Sequence, residues 1–220
     1  MIALPMHPAA TEIDTSQPCK PSLRLSGLHL ERRGITLLRD LDLELRPGEI
    51  LVVTGASGTG KTTLLKAIAG IAPVSAGKID HDPRIGYVFQ EPRLLPWYTA
   101  HRNVALMAAD EVTGWFDADE WLDRVGLADA KNLYPAQLSG GMRQRVSMAR
   151  AMVTHPRLLL VDEPFASLDR ALADELRTHL LALVHAGSIA TVWVTHDSRD
   201  AAIGDHCLHL LGHDGAWTLG

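Results

Sequence analysis

The sequence is poor in cysteine: Cys19 and Cys207 are its two, far apart and in neither metal-ligand nor disulfide-framework spacing. That excludes a small stapled secreted domain and points to a reducing cytosol. No apolar run approaches the roughly 18 residues that suggest a spanning helix, so any membrane role has to be borrowed from a partner. Basic charge is not in excess either. The formal net charge is −5, which supplies no global field to gather nucleic acid, and no nucleic-acid partner is expected. The opening stretch MIALPMHPAATEIDTSQPCKPS lacks a basic n-region, and Pro5 and Pro8 break its apolar character. It is neither a secretory signal nor an anchor, and residues 1–22 read as a disordered arm. Internal repeats and low-complexity segments are absent as well.

With 220 residues, 46% of them hydrophobic, the chain suits one substantial domain, 23–220, with room for a small insertion. From Leu23 to Leu45 leucines alternate with polar residues, the period-two pattern of half-buried strands. ILVVT (Ile50 to Thr54), IGYVF (Ile85 to Phe89), LLLV (Leu158 to Val161) and TVWVT (Thr191 to Thr195) are short apolar runs of the kind found in buried parallel strands. A helix is predicted over Lys61 to Ala69 and another over Arg143 to Val153. Residues 92–137 turn helical, with DADEWLDRVGL (Asp117 to Leu127) giving an acidic start and Gly126 an end; they read as a helical lobe inserted into an α/β core. His206, His209 and His213 lack supporting carboxylate or thiolate spacing and read as solvated tail histidines.

Polar residues follow the last three of these strands at once: Gln90, then Asp162 with Glu163, then His196. Ligands of open parallel sheets bind beyond the carboxyl ends of the strands, so these residues converge on one place. GASGTGKT, Gly55 to Thr62, fits G-x-x-x-x-G-K-[ST] between a strand and a helix. Its glycines let backbone N–H groups approach phosphates, the helix start adds a favourable partial charge, and Lys61 reaches the outer phosphates. Thr62 is a magnesium ligand in this pattern. LLLVDE offers Asp162 to hold Mg2+ and Glu163 as the general base for water. A second glycine pair, Gly140 and Gly141 in LSGGM, lies at a helix start behind Ser139, a good N-cap, and forms a second phosphate-recognition surface. Met142, Val146, Ala149 and Val153 give that helix a buried stripe, with Arg143, Arg145 and Arg150 around it.

Taken in order, GASGTGKTT, Gln90, LSGGM, LLLVDEP, SLD and His196 resemble the ATP-binding cassette (ABC) ATPases over roughly Leu23 to Leu211. The resemblance implies a P-loop NTPase core of α/β class with a mainly parallel sheet, an N-terminal antiparallel β-subdomain and an inserted α-helical lobe. It implies ATP and Mg2+ as ligands, with Gly55, Ala56, Ser57, Gly58, Thr59, Gly60, Lys61, Thr62 and Thr63 around the phosphates. Gln90 is then a switch that also ligates Mg2+. Ser139, Gly140 and Gly141 bind the ATP of a head-to-tail partner, Asp169 in SLD couples the two half-sites, and His196 contacts the γ-phosphate. In this company Glu163, His196 and Gln90 are the catalytic set. The family's adenine-stacking aromatic is replaced in ERRGI by Arg33, whose planar guanidinium can stack on a base or stay solvated. The segment Gly77 to Phe89 is short for the family, which suggests a trimmed antiparallel subdomain.

EPRLLPWYTAHRNV, Glu91 to Val104, is similar to ATPases of nitrate, sulfonate and taurine-type importers. Trp97 and Tyr98 are either partner-facing aromatics or part of the lobe's own core. The implied assembly is a homodimer of nucleotide-binding subunits on integral-membrane permease subunits, with a separate substrate-binding protein, at the cytoplasmic face of the membrane. Gly220 comes soon after the last predicted strand, so no added C-terminal regulatory domain is expected. The alternative is a soluble ABC-type ATPase acting on a macromolecular complex, which the single cassette and modest insertion disfavour. Intact Lys61, Glu163 and His196 argue against a subunit that binds ATP without turning it over.

Overall fold

The leucine-polar alternation at the start of the chain folds as two long antiparallel strands, β1 (Leu23–Arg32) and β2 (Ile35–Leu45), joined by a tight turn at Arg33 and Gly34. The computed structural model describes residues 20–108, 111–197, 200–212 and 214–220, so most of the N-terminal arm, Cys19 and His213 lie outside the described residues. Leu23, Leu25, Leu28 and Leu30 of β1 are buried, as are Leu38, Leu41, Leu43 and Leu45 of β2. Their spacing departs from two between Leu25 and Leu28, and there the ladder slips in register. A bulge absorbs the odd residue and keeps the leucines on one face. Gly27, at φ 54, makes the bend, and its N–H donates to Asp42 Oδ1 at 2.8 Å.

β4 (Ala76–His81) completes this sheet beside β1, with Leu23 opposite His81 and Leu25 opposite Ile79. The segment that looks short in sequence therefore still contributes a paired edge strand. Its economy lies in the connection, where Asp82, Pro83 and Arg84 lead directly into β5 (Ile85–Val88).

The second sheet has the order β5-β6-β7-β3-β8-β9 and is built on β3 (Ile50–Gly55), β6 (Leu158–Asp162) and β7 (Ala190–Val194). All of its pairings are parallel except that of β8 (His206–Leu210) with β9 (Trp217–Leu219). Every residue of β6 and β7 is buried, which explains why their sequences run apolar instead of alternating. His206 and His209 do face solvent, His209 exposed and His206 half-buried, but not in a tail. They belong to β8, where His209 alternates with buried Leu208 and Leu210 and its Nδ1 lies 2.9 Å from Thr54 Oγ1.

The helices are α1 (Lys61–Ile68), α2 (Ala100–Ala105), α3 (Glu111–Arg124), α4 (Gly140–Met152) and α5 (Arg170–Ala186). The acidic cluster at Asp117 lies inside α3 and does not start it. Polarity alone suggested a start there, but the helix runs from Glu111 to Arg124, with Ala118, Trp121 and Leu122 on its buried face. Gly126, at φ 73, follows its end. Two cores sandwich the parallel sheet. One joins Val88, Leu159, Val161 and Trp193 to α3, α4 and α5; the other joins Leu51, Val53, Leu208 and Leu210 to α1 and the leucines of the antiparallel sheet.

Candidate functional site

Between β3 and α1 the chain needs backbone conformations that side chains oppose: Gly55, Gly58 and Gly60 have φ of 141, 85 and 108. A Cβ on Gly55 would lie 2.6 Å from the Leu210 carbonyl oxygen and 2.9 Å from Thr59 Oγ1. Ala56, Ser57 and Gly58 are exposed at the crest of the loop, while Thr59 is buried and donates from Oγ1 to the Ala56 carbonyl at 3.0 Å. No side chain caps α1 at Gly60, so its first N–H groups are left for an external acceptor, the arrangement that suits an anion. Lys61 is buried, and its Nζ donates to the Gly55 and Ala56 carbonyls at 2.9 and 3.1 Å. Thr63 is half-buried in the first turn.

Thr62 and Asp162 are brought together although a hundred residues apart in sequence: Thr62 Oγ1 donates to Asp162 Oδ1 at 2.9 Å. Tyr87 OH donates to the other oxygen at 3.3 Å. Burial pushes the Asp162 carboxyl above the usual carboxylate range, and the hydrogen bonds from Thr62 and Tyr87 oppose that rise. Burial, reinforced by the Asp162 charge, raises the Tyr87 phenol as well. Tyr87 is a site residue that sequence reasoning missed. The available signal was a tyrosine in an otherwise apolar strand, whose hydroxyl needs a partner once buried.

Glu163 follows at φ 42, a left-handed conformation that costs roughly 1–3 kcal/mol for a residue with a side chain. Its N–H donates to the Val194 carbonyl at 3.0 Å, fixing the turn against the end of β7. The carboxylate then spans two groups: Oε2 lies 2.9 Å from His196 Nδ1 and Oε1 lies 3.7 Å from Lys61 Nζ. The His196 ring remains 63% exposed. Gln90 leaves the sheet from β5, whose Val88 pairs with Val161, so it and Asp162 emerge from neighbouring strands.

The second glycine pair is built differently. α4 begins at Gly140, earlier than its apolar stripe suggests, and Ser139 Oγ accepts from Met142 N–H at 3.2 Å as its N-cap. A Cβ on Gly141 would meet Leu172 Cδ2 at 2.7 Å, whereas one on Gly140 would meet only Leu168 Cδ2 at 3.7 Å. Gly141 thus serves the close packing of α4 on α5, and Gly140 is the glycine on the open side. Asp169 caps α5, its Oδ1 accepting from Leu172 N–H at 3.0 Å. Among the described residues no hydrogen bond or ion pair joins Ser139, Gly140, Gly141 or Asp169 to the phosphate loop of the same chain.

The arginines of α4 hold backbone, and Arg145 also pairs with Glu175 on α5 at 2.5 Å. Arg143 donates to the Leu138 carbonyl at 2.6 Å, Arg145 to that of Val125 at 2.9 Å, and Arg150 to those of Pro92 and Arg93 at 2.6 and 2.9 Å. Trp97 is 65% exposed, while Tyr98 is half-buried with the Arg102 guanidinium 5.9 Å from its ring centre. Arg33 is exposed at φ 53 in the β1–β2 turn.

A phosphate loop between strand and helix, facing a buried aspartate at the end of a neighbouring parallel strand, defines a P-loop nucleotide-binding domain. The ABC transporter family profile matches residues 38–166, and the chain belongs to that family. It is 42% identical over 170 residues to the aliphatic sulfonates import ATP-binding protein SsuB 1 of Pseudomonas fluorescens, an alignment covering 77% of this chain and 65% of that protein. It is 42% identical over 191 residues to the taurine import ATP-binding protein TauB of Escherichia coli O157:H7, covering 81% and 75%. A dimeric ATP-binding cassette in a post-hydrolysis state, bound to ADP and Pi, superposes with a TM-score of 0.75 at 29% identity, covering 89% of this chain and 97% of the other. The expected fold class and family both stand.

Proposed function

We propose that this chain is the ATP-binding and ATP-hydrolysing subunit of an ABC importer for small sulfonates such as taurine, working by ATP-driven head-to-tail closure of two copies. The observation that carries the reading is the meeting of Lys61, Thr62, Asp162, Glu163 and His196 at the strand ends, while Ser139 and Gly140 open from a separate helix start. The import relatives give the substrate class.

In this reading Gly55 to Thr63 wrap the ATP phosphates, and the Lys61 ammonium, already aimed along the loop, turns from the Gly55 and Ala56 carbonyls to the outer phosphate oxygens. Thr62 and Asp162 fit magnesium, because a hydroxyl and a buried carboxylate in mutual contact are hard oxygen donors of the kind it takes, with Gln90 as the third. Bound there, Mg2+ supplies neutralisation of charge on the β- and γ-phosphate oxygens. Glu163 accepts a proton from the attacking water, and His196, oriented by its contact with Glu163, bonds the γ-phosphate from its other nitrogen. Ser139, Gly140 and Gly141 meet the partner copy's ATP, and Asp169 beside them couples the two half-sites.

Residues 23–220 form the cassette, with 92–137 as the inserted lobe. Permease subunits dock near Glu91 to Val104, where Trp97 is exposed, and a separate substrate-binding protein delivers the solute. No helix among the described residues is long and apolar enough to cross a membrane; attachment at the cytoplasmic face is through the permease. Glu163→Gln, purified in mild detergent with Mg-ATP from its native cell, is expected to bring down a multi-helix membrane protein. Its hydrolysis should fall by roughly 10²- to 10⁴-fold with ATP still bound. A soluble complex without any membrane protein would overturn the importer reading.

A further inference from the structure

A cleft of about 410 Å³ opens beside Glu163 and His196, between the loop after β6, the start of α5 and the loop after β7. Its wall carries charge that the proposed hydrolysis does not use. Arg177, on α5, is mostly buried; its Nε lies 2.5 Å from Asp200 Oδ1 and its Nη2 lies 3.6 Å from Asp197 Oδ2, with Asp174 on the remaining side. Asp200 is itself buried, at 4% exposure. Its second oxygen accepts from Thr195 Oγ1 at 2.6 Å, and the same Thr195 oxygen accepts from the Asp197 N–H at 2.9 Å. Thr195 N–H continues the sheet by donating to the Val53 carbonyl at 3.1 Å.

The hydrogen bonds of Thr195 fix the residue before His196 and the residue after it, while Arg177 meets Asp200 as a close charge contact and not as an aligned hydrogen bond. The imidazole is 63% exposed, so its orientation comes from the backbone that carries it and from Glu163 at 2.9 Å. A buried ion pair of this kind is a poor source of net stability, since desolvation offsets most of the attraction. It does, however, specify a loop path sharply, because the buried charges accept few alternative arrangements. We propose that Arg177 and Asp200 are positioning residues which, through Thr195, hold His196 against Glu163. The inference rests on the role given above to His196.

The test is a double-mutant cycle on the detergent-purified complex, reading kcat, KM for ATP and thermal midpoint for Asp200→Asn, His196→Ala and the pair. Asp200→Asn keeps the shape and removes the charge. It is expected to lower kcat by roughly 10-fold, within the range of coupling between residues of one network, with KM changed less than about 2-fold and Asp200→Glu recovering part of the loss. In the His196→Ala background the same substitution should leave kcat where it is, although its effect on the thermal midpoint is the same in both backgrounds. Thr195→Val, which breaks the same relay without touching an ion pair, serves if Asp200→Asn does not fold. An equal fold-loss of kcat in both backgrounds, or no loss in either, would overturn the proposal. If His196→Ala itself leaves kcat unchanged, the role of His196 fails and the positioning role with it, while loss of ATP binding in Lys61→Ala still reports on the phosphate site separately.

Discussion

At the start of α1, Gly60 stands at φ 108 with no side chain capping the helix; at the start of α4, Ser139 caps and Gly140 and Gly141 are ordinary helical residues. The first site is a cradle whose backbone conformation demands glycine, surrounded by its own lysine, threonine and carboxylates. The second is a conventional helix start whose glycines keep it low and let it pack on α5. A phosphate can be enclosed by the first within one chain. The second has a single surface to offer, and in the function proposed above a second copy supplies the rest. On that reading the difference separates binding from assembly: loss of the first removes the ligand, and loss of the second removes the use made of it.

Substitutions at four positions press on that contrast. Lys61→Ala should weaken ATP binding by roughly 10- to 100-fold, the worth of a hydrogen bond to a charged group, as read by titration calorimetry; unaltered affinity would break the comparison at its stronger end. Gly55→Ala puts a side chain against the Leu210 carbonyl at positive φ, and its thermal midpoint should fall by roughly 2–12 °C. Gly140→Ala, facing open space, should stay within about 2 °C of the parent, and an equal fall in both would erase the distinction between the two glycine classes. Ser139→Ala removes one cap, about 1 kcal/mol, so its midpoint should drop by roughly 2–4 °C and Ser139→Asp should restore it.

Much of this was readable from residue order. The buried strands announced themselves as apolar runs, and the phosphate loop as a motif in the right context, because both are set by neighbours in sequence. What escaped reading depends on neighbours in space. Tyr87 joins the site only because β5 pairs with β6 and aims its hydroxyl at Asp162. Asp169 reads as a coupling residue by position in a motif, while the fold gives it a helix to cap as well. His206 and His209 read as tail residues because their spacing offered no ligand set, and it is pairing with β3 that makes HCLHL a strand.

The guanidinium groups of Arg143, Arg145 and Arg150 each reach main-chain carbonyls of the segments beside α4, Arg145 pairing with the Glu175 carboxylate as well. A carbonyl is present whatever the side chain, so these moorings are blind to the identity of the residues they hold. Loops anchored in this way can change composition without losing their anchor. They have little such freedom in length. A single inserted or deleted residue near Pro92 or Val125 would carry the wrong carbonyl past its arginine, and the surface that varies most cheaply by substitution would be the one least tolerant of insertion.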